Sequence, residues 1–149
     1  MASKKILIVD DDLDVRQAMH VRLKANGYDT FFATDAFSCV AEARKQHPDL
    51  IILDLGLPGG DGYVVIQRLK EHPALAVIPI VVVSAHDLHA NKDRPIKAGA
   101  NVYLQKPVDS AELLWSIRHA LGEPAQPEDA AITGREIVTA HDSRGLPQG

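Results

Sequence analysis

Short apolar runs alternate with amphipathic stretches along most of the chain. Ile6-Leu7-Ile8-Val9 is continuously apolar and β-branched, the pattern of a strand buried on both faces. Residues 13–26 place Val15, Ala18, Met19 and Leu23 at helical spacing, and Asn26-Gly27 ends that helix. The same alternation predicts a second strand over 28–33 and a helix over 36–46, stopped before Pro48. A third strand is predicted over 50–55, apolar until Asp54, and a turn-rich stretch from Gly56 to Gly62 follows it. A third helix over 63–71 is ended by His72-Pro73, and a fourth strand covers 78–83. A weaker helix over 87–98 closes at Gly99, and a fifth strand covers 102–104. Asp109 and Glu112 then form a capping box for a strong last helix, 110–121, closed by Gly122.

Five apolar strands alternating with five helices predict an α/β fold, a parallel sheet covered on both faces. Right-handed crossovers make it doubly wound. A closed eight-unit barrel would need about 250 residues, against 149 here. Pro95 interrupts the fourth helix, where an interior proline costs about 3 kcal/mol. That helix is expected to be shortened, kinked or restarted near Asp93, and its face to be more mobile than usual.

After Gly122 the pattern dissolves. Residues 123–149 hold three prolines and three glycines, and are expected to be mostly an irregular tail or linker beyond a domain of residues 1–122. Ile132, Ile137 and Val138 are the only hint of a short strand or helical turn there. Twenty-seven residues are too few for a DNA-binding or catalytic output domain, so the chain is read as a stand-alone unit or a piece with its linker.

Composition narrows the class. The chain is 46% hydrophobic, enough for a core, and Cys39 alone excludes an internal disulfide or a cysteine-rich zinc site. No apolar run approaches the ~20 residues of a membrane span. The apolar run after Lys5 is shorter than the roughly 7–15 residues of a secretory signal. A cytoplasmic protein without a membrane partner is therefore expected. Net charge is −4, and no basic run invites nucleic acid. The tail holds five acids against two bases. The domain is thus close to neutral, apart from the acidic knot Asp10, Asp11, Asp12 and Asp14.

In a doubly wound sheet ligands sit beyond the carboxyl ends of the strands. There the chain places Asp10-Asp11-Asp12, Asp54, Ser84 and Lys106-Pro107. Crowded carboxylates repel unless a cation screens them, and oxygen donors with open positions suit Mg²⁺. Asp54 lies between these groups in sheet order, the natural nucleophile toward a phosphoryl group. Lys106 and Ser84 could bind the phosphoryl oxygens.

Five motifs carry a resemblance. They are Ile6-Leu7-Ile8-Val9 with Asp10-Asp11-Asp12, Leu53-Asp54-Leu55-Gly56-Leu57-Pro58 with Gly59-Gly60-Asp61-Gly62, Val83-Ser84-Ala85, Gly99-Ala100-Asn101, and Val102-Tyr103-Leu104-Gln105-Lys106-Pro107. In order and spacing, over residues 4–122, the chain resembles a response-regulator receiver domain, the CheY-like kind of two-component signalling. The resemblance implies a flavodoxin-like, five-stranded sheet of order 2-1-3-4-5. It implies that Asp54 accepts phosphate from a sensor histidine kinase or a histidine phosphotransfer protein. Asp10, Asp11, Asp54 and the Gly56 backbone carbonyl would hold Mg²⁺ (or Mn²⁺). Ser84, the Ala85 backbone and Lys106 would contact the phosphoryl group. Ser84 and Tyr103 would form the switch, and Pro107 would be a cis-proline placing Lys106. A downstream protein effector, or a second copy, would meet the helix 4–strand 5–helix 5 face. Such a domain is a switch rather than a turnover enzyme.

Several residues invite plainer readings. Asp12 and Asp14 read as charges at a helix N-terminus. His86 reads as an exposed loop histidine, and Cys39 as a small packed residue. Trp115 fits burial and a partner-facing anchor equally well. Gly56 is smaller than the family's usual residue and should leave a phosphoryl group more open to water. An aspartyl phosphatase would need its general-acid Asp where Gly56 stands. No glycine-rich nucleotide loop follows the first strand. A phosphate-independent scaffold is the remaining alternative, and the complete set Asp10, Asp11, Asp54, Ser84 and Lys106 weighs against it.

Overall fold

A computed structural model of the chain describes residues 3–57, 62–85, 93–124, 126, 127, 129 and 137–140. The first apolar run forms β1 (Lys5–Val9), and the next segments form α1 (Leu13–Ala25), β2 (Asp29–Ala33), α2 (Ala36–Gln46) and β3 (Leu50–Asp54). They are followed by α3 (Gly62–Glu71), a short α4 (Pro73–Ala76), β4 (Ile80–Ser84), α5 (Arg94–Ala98), β5 (Val102–Gln105), α6 (Ser110–Leu121) and β6 (Val138–Thr139). The strands line up as β2-β1-β3-β4-β5-β6, parallel except for β6.

The period of two along each strand divides the core. Leu7, Val9, Ile51, Leu53, Ile80, Val82 and Tyr103 face one layer, where Cys39, Ala43, Val65, Ile66, Leu69 and Ile96 meet them. Ile6, Ile8, Leu50, Ile52, Val81, Val83, Val102 and Leu104 face the other, against Met19 and Leu23 of α1 and Leu113, Leu114 and Ile117 of α6. Both faces are covered, as the continuous apolar runs require.

Three elements depart from the expected five-and-five. Pro73 does not merely stop α3. It occupies the first turn of α4, where a missing N–H costs nothing. Pro95 likewise sits in the first turn of α5, which begins after Asp93. The described part of the fourth expected helix is thus Arg94–Ala98, and its expected 87–92 portion lies outside the described residues. The third departure is β6. The five-stranded sheet gains a sixth, antiparallel strand because Val138 and Thr139 pair with Tyr103 and Val102. Ile132 lies outside the described residues.

Candidate functional site

Four strands deliver their polar ends to one edge of the sheet. Asp10 follows β1, Asp54 ends β3, Ser84 ends β4 and Lys106 follows β5. Register keeps these ends level. Asp54 lies beside Val83 and Ser84 beside Gln105, while the Lys106 amide donates to the Ser84 carbonyl at 2.7 Å. Asp10 is 2%, Asp54 7% and Ser84 0% exposed, so these polar groups stand in protein rather than in water.

Lys106 joins the two buried carboxylates. Its Nζ lies 2.9 Å from Asp10 Oδ2 and 3.3 Å from Asp54 Oδ2. The other oxygens are held by local amides: Asp12 N–H donates to Asp10 Oδ1 and Gly56 N–H to Asp54 Oδ1, both at 2.9 Å. The two acids thus have the same arrangement, one oxygen on the amide two residues ahead and one on the shared ammonium. Burial alone would lower the Lys106 pKa, but the hydrogen bond to Asp10 and the charges of Asp54 and Asp10 outweigh it and raise it. The ammonium therefore stays charged through the neutral range.

Asp11 is exposed, yet it offers an oxygen within 4.8 Å of oxygens on Asp10 and Asp54. Three carboxylates face one ammonium, which leaves negative charge unbalanced. Hard oxygen donors this close, with Asp11 open to water, fit a hydrated Mg²⁺ or Mn²⁺. Gly56 lies in the turn that begins as β3 ends. A side chain there would start 3.5 Å from Asp54 Oδ1, an ordinary contact. Gly62 is more constrained: a Cβ would stand 2.7 Å from Leu55 Cα. Its N–H also donates to the Leu55 carbonyl at 3.3 Å, tying the start of α3 to the residue after Asp54.

The remaining predicted residues divide. Ala85 is exposed at the mouth, directly after Ser84. The Lys106–Pro107 bond is cis. Tyr103 is 4% exposed and belongs to the core layer facing α3 and α5. Asp12 caps α1, its side chain accepting from the amides of Asp14 and Val15. Cys39 is fully buried, and burial pushes its thiol pKa up to about 12. Trp115 is half-buried and stacks on His119, ring centres 4.7 Å apart. His86 and residues 58–61 of the turn-rich motif lie outside the described residues.

Arg16 was missed in the sequence. Its Nη1 donates to the Asp10 carbonyl at 2.8 Å, fixing the chain where β1 enters the site. A surface arginine one turn into a helix carries no pattern that announces such a bond. Beside Lys106 a cavity of about 540 Å³ opens between α1 and α6, lined by Val15, Met19, Arg22, Pro107, Val108 and Leu113 among others.

The family model for the response regulator receiver domain matches residues 6–118. The chain is 38% identical over 117 residues to the DNA-binding dual master transcriptional regulator RpaA of Synechocystis sp., covering 78% of this chain and 48% of that protein. It is 39% identical over 116 residues to the KDP operon transcriptional regulatory protein KdpE of Escherichia coli, covering 78% and 50%. The chain thus spans about half the length of these curated relatives. Among solved structures it resembles the receiver domain of the sensor histidine kinase PA1611 from Pseudomonas aeruginosa PAO1, with TM-score 0.74 and 30% identity. That match covers 82% of this chain and all of that one, and that structure has a magnesium ion coordinated in its active-site cleft.

Proposed function

The chain belongs to the response regulator receiver domain family, and from that premise we propose that Asp54 is the phosphoacceptor of a signalling switch. The observation that carries this reading is the Lys106 ammonium held between two buried carboxylates, Asp10 and Asp54, with Asp11 alongside. Receiver domains of this family interact with histidine kinases, and in this reading the donor is a phosphohistidine on such a kinase or on a phosphotransfer protein. An Asp54 carboxylate oxygen attacks phosphorus. The O–P bond forms as the N–P bond breaks, and the departing imidazole takes up a proton. The cavity between α1 and α6 gives the donor an apolar seat beside the site.

Asp10, Asp11, Asp54 and the Gly56 carbonyl would hold Mg²⁺, which supplies charge neutralisation for the transferring oxygens. Lys106 is already poised beside Asp54 and would move its hydrogen bond from the carboxylate to a phosphoryl oxygen. Ser84 and the Ala85 amide would donate to the others. Asp54 carries −1, and its phosphorylated form about −2. A shift from 1:99 to 99:1 between two arrangements requires about 5.5 kcal/mol, within reach of several charge-assisted bonds in a site this buried. Tyr103 would pass the change to the face of α5, β5 and α6. The product is a changed surface rather than a released compound, so the domain acts as a switch and not a turnover enzyme.

In this reading residues 1–122 form the receiver unit, read by a downstream protein or by a second copy. The expectation that nucleic acid plays no part gains no support, because RpaA is named as DNA-binding. Among the described residues no helix is long and apolar enough to cross a membrane, and we place the protein in the cytoplasm. Incubation with Mg²⁺ and acetyl phosphate should raise the intact mass by one phosphoryl group, and Asp54→Asn should abolish the gain. Undiminished labelling of Asp54→Asn would overturn the assignment. A wild-type protein that no donor labels would favour the scaffold reading.

A further inference from the structure

The sixth strand stands outside the phosphoacceptor site, yet it pairs with the strand that carries Tyr103. The segment after α6 is tied to the domain at three described places. Tyr28 donates its hydroxyl to Glu123 Oε1 at 2.9 Å. Arg118, itself buried, pairs with the part-buried Asp129. Last, β6 pairs with β5, and the Ala140 amide donates to the Asn101 carbonyl at 2.8 Å. Fixing the described residues of this segment costs conformational entropy, which these contacts offset.

What β6 covers is specific. Without it β5 would be the open edge of the sheet, a row of unpaired backbone groups. With it, Val138 and Thr139 are 8% and 4% exposed. Val138 stands directly opposite Tyr103, and both belong to the same apolar layer as Ile96 and Ala100. Ser84 lies two residues beyond Val82 on β4, and Val82 is the register partner of Tyr103. By the period of two, Ser84, Tyr103 and Val138 therefore share one face of the sheet. A row of side chains thus leads from the hydroxyl at the site to the tail.

A buried aromatic in a close-packed layer cannot change rotamer unless a neighbour yields. Tyr103 is flanked in register by Val82 of β4 on one side and Val138 of β6 on the other. Val138 lies on a two-residue edge strand, the shortest of the described elements. We propose that residues 137–140 are a latch on the β5 edge, released when the Asp54 switch moves Tyr103. The proposal rests on the phosphoacceptor reading. Release would open the β5 edge and the α5–β5–α6 face to a partner. By linkage, a tail that is already unseated must favour the phosphorylated arrangement by the same factor with which phosphorylation unseats it.

The test uses the full chain with Mg²⁺ and beryllium fluoride, a non-covalent phosphoryl mimic. Saturating mimic should speed amide exchange at 138–140 about fivefold, the scale of one aromatic–β-branched cross-strand pair. Val138→Asp, which puts a charge against Tyr103, should tighten mimic binding by a similar factor, while Val138→Ile should bind like wild type. Mimic that binds wild type while leaving exchange at 138–140 unchanged would overturn the latch and leave Asp54 as phosphoacceptor. The wild-type exchange measurement decides the point even if Val138→Asp folds poorly. A protein that neither binds the mimic nor gains a phosphoryl group would overturn both readings.

Discussion

At the carboxyl ends of β1 and β3, two buried acids each have one oxygen on a backbone amide and the other on Lys106. On the β5 flank, a two-residue strand lies against Tyr103 through apolar contact and a short ladder. The first region is charged, rigidly satisfied and fixed by four strand ends held in register. The second is uncharged at its centre and joined through a strand of only two residues. A switch needs both kinds of construction. The site must be preorganised so that one added phosphoryl group meets ready donors. The responding face must be marginal enough for a few kcal/mol to rearrange it.

The largest effects are expected on the rigid side. Lys106→Met leaves Asp10 and Asp54 facing each other without their shared cation. With the Lys106 side chain 23% exposed, the expected loss is about 2 kcal/mol of unfolding free energy. Urea denaturation measures it, and added Mg²⁺ should recover more stability in the variant than in wild type. An unchanged midpoint would mean that the pair does not hold the site together. Gly62→Ala forces a methyl group to 2.7 Å from the Leu55 Cα, a backbone contact that cannot step aside. Its expected cost is about 1–3 kcal/mol, read from the same denaturation curves, with slower phosphorylation as the loop after Asp54 shifts.

On the marginal side, α5 has five residues and a proline in its first turn, whereas α6 has twelve and a capping box. Amides at 96–98 should exchange markedly faster than those at 113–118. Equal protection would show that α5 is as firmly held as α6. The smallest effect is expected from pH. The folded pKa of Lys106 lies above its ordinary value of 10.5. The ammonium's stabilisation is therefore complete below pH 10.5 and lost only as pH rises through the folded value. The stability difference between wild type and Lys106→Met should stay flat from pH 7 to 9.5 and shrink only beyond 10.5. A decline near pH 8 would show that the ammonium is not held as described.

The two regions also differed in how far they could be read from residues alone. The site was legible because each of its polar side chains ends or follows a buried apolar strand, where a charge has no packing reason to be. Asp10, Asp54, Ser84 and Lys106 all came to one edge for that reason. Arg16 was not legible, since its bond to the Asp10 carbonyl depends on how α1 crosses the sheet. The flank was harder. Val138–Thr139 is too short to show a period, and it is a strand only because β5 presents an edge. Pro73 follows the end of α3 as expected but also opens the short α4, and Pro95 opens α5 after Asp93, where a restart was one of the expectations, because a proline in a first turn gives up no hydrogen bond.

The most direct test of the account locates the phosphoryl group itself. Protein treated with acetyl phosphate and Mg²⁺ is reduced with borohydride, which converts an aspartyl phosphate to homoserine, and the modified residue is found by tandem mass spectrometry. The account predicts homoserine at position 54 alone, dependent on Mg²⁺. Modification at Asp10 or Asp11 instead, or its persistence without the metal, would contradict it.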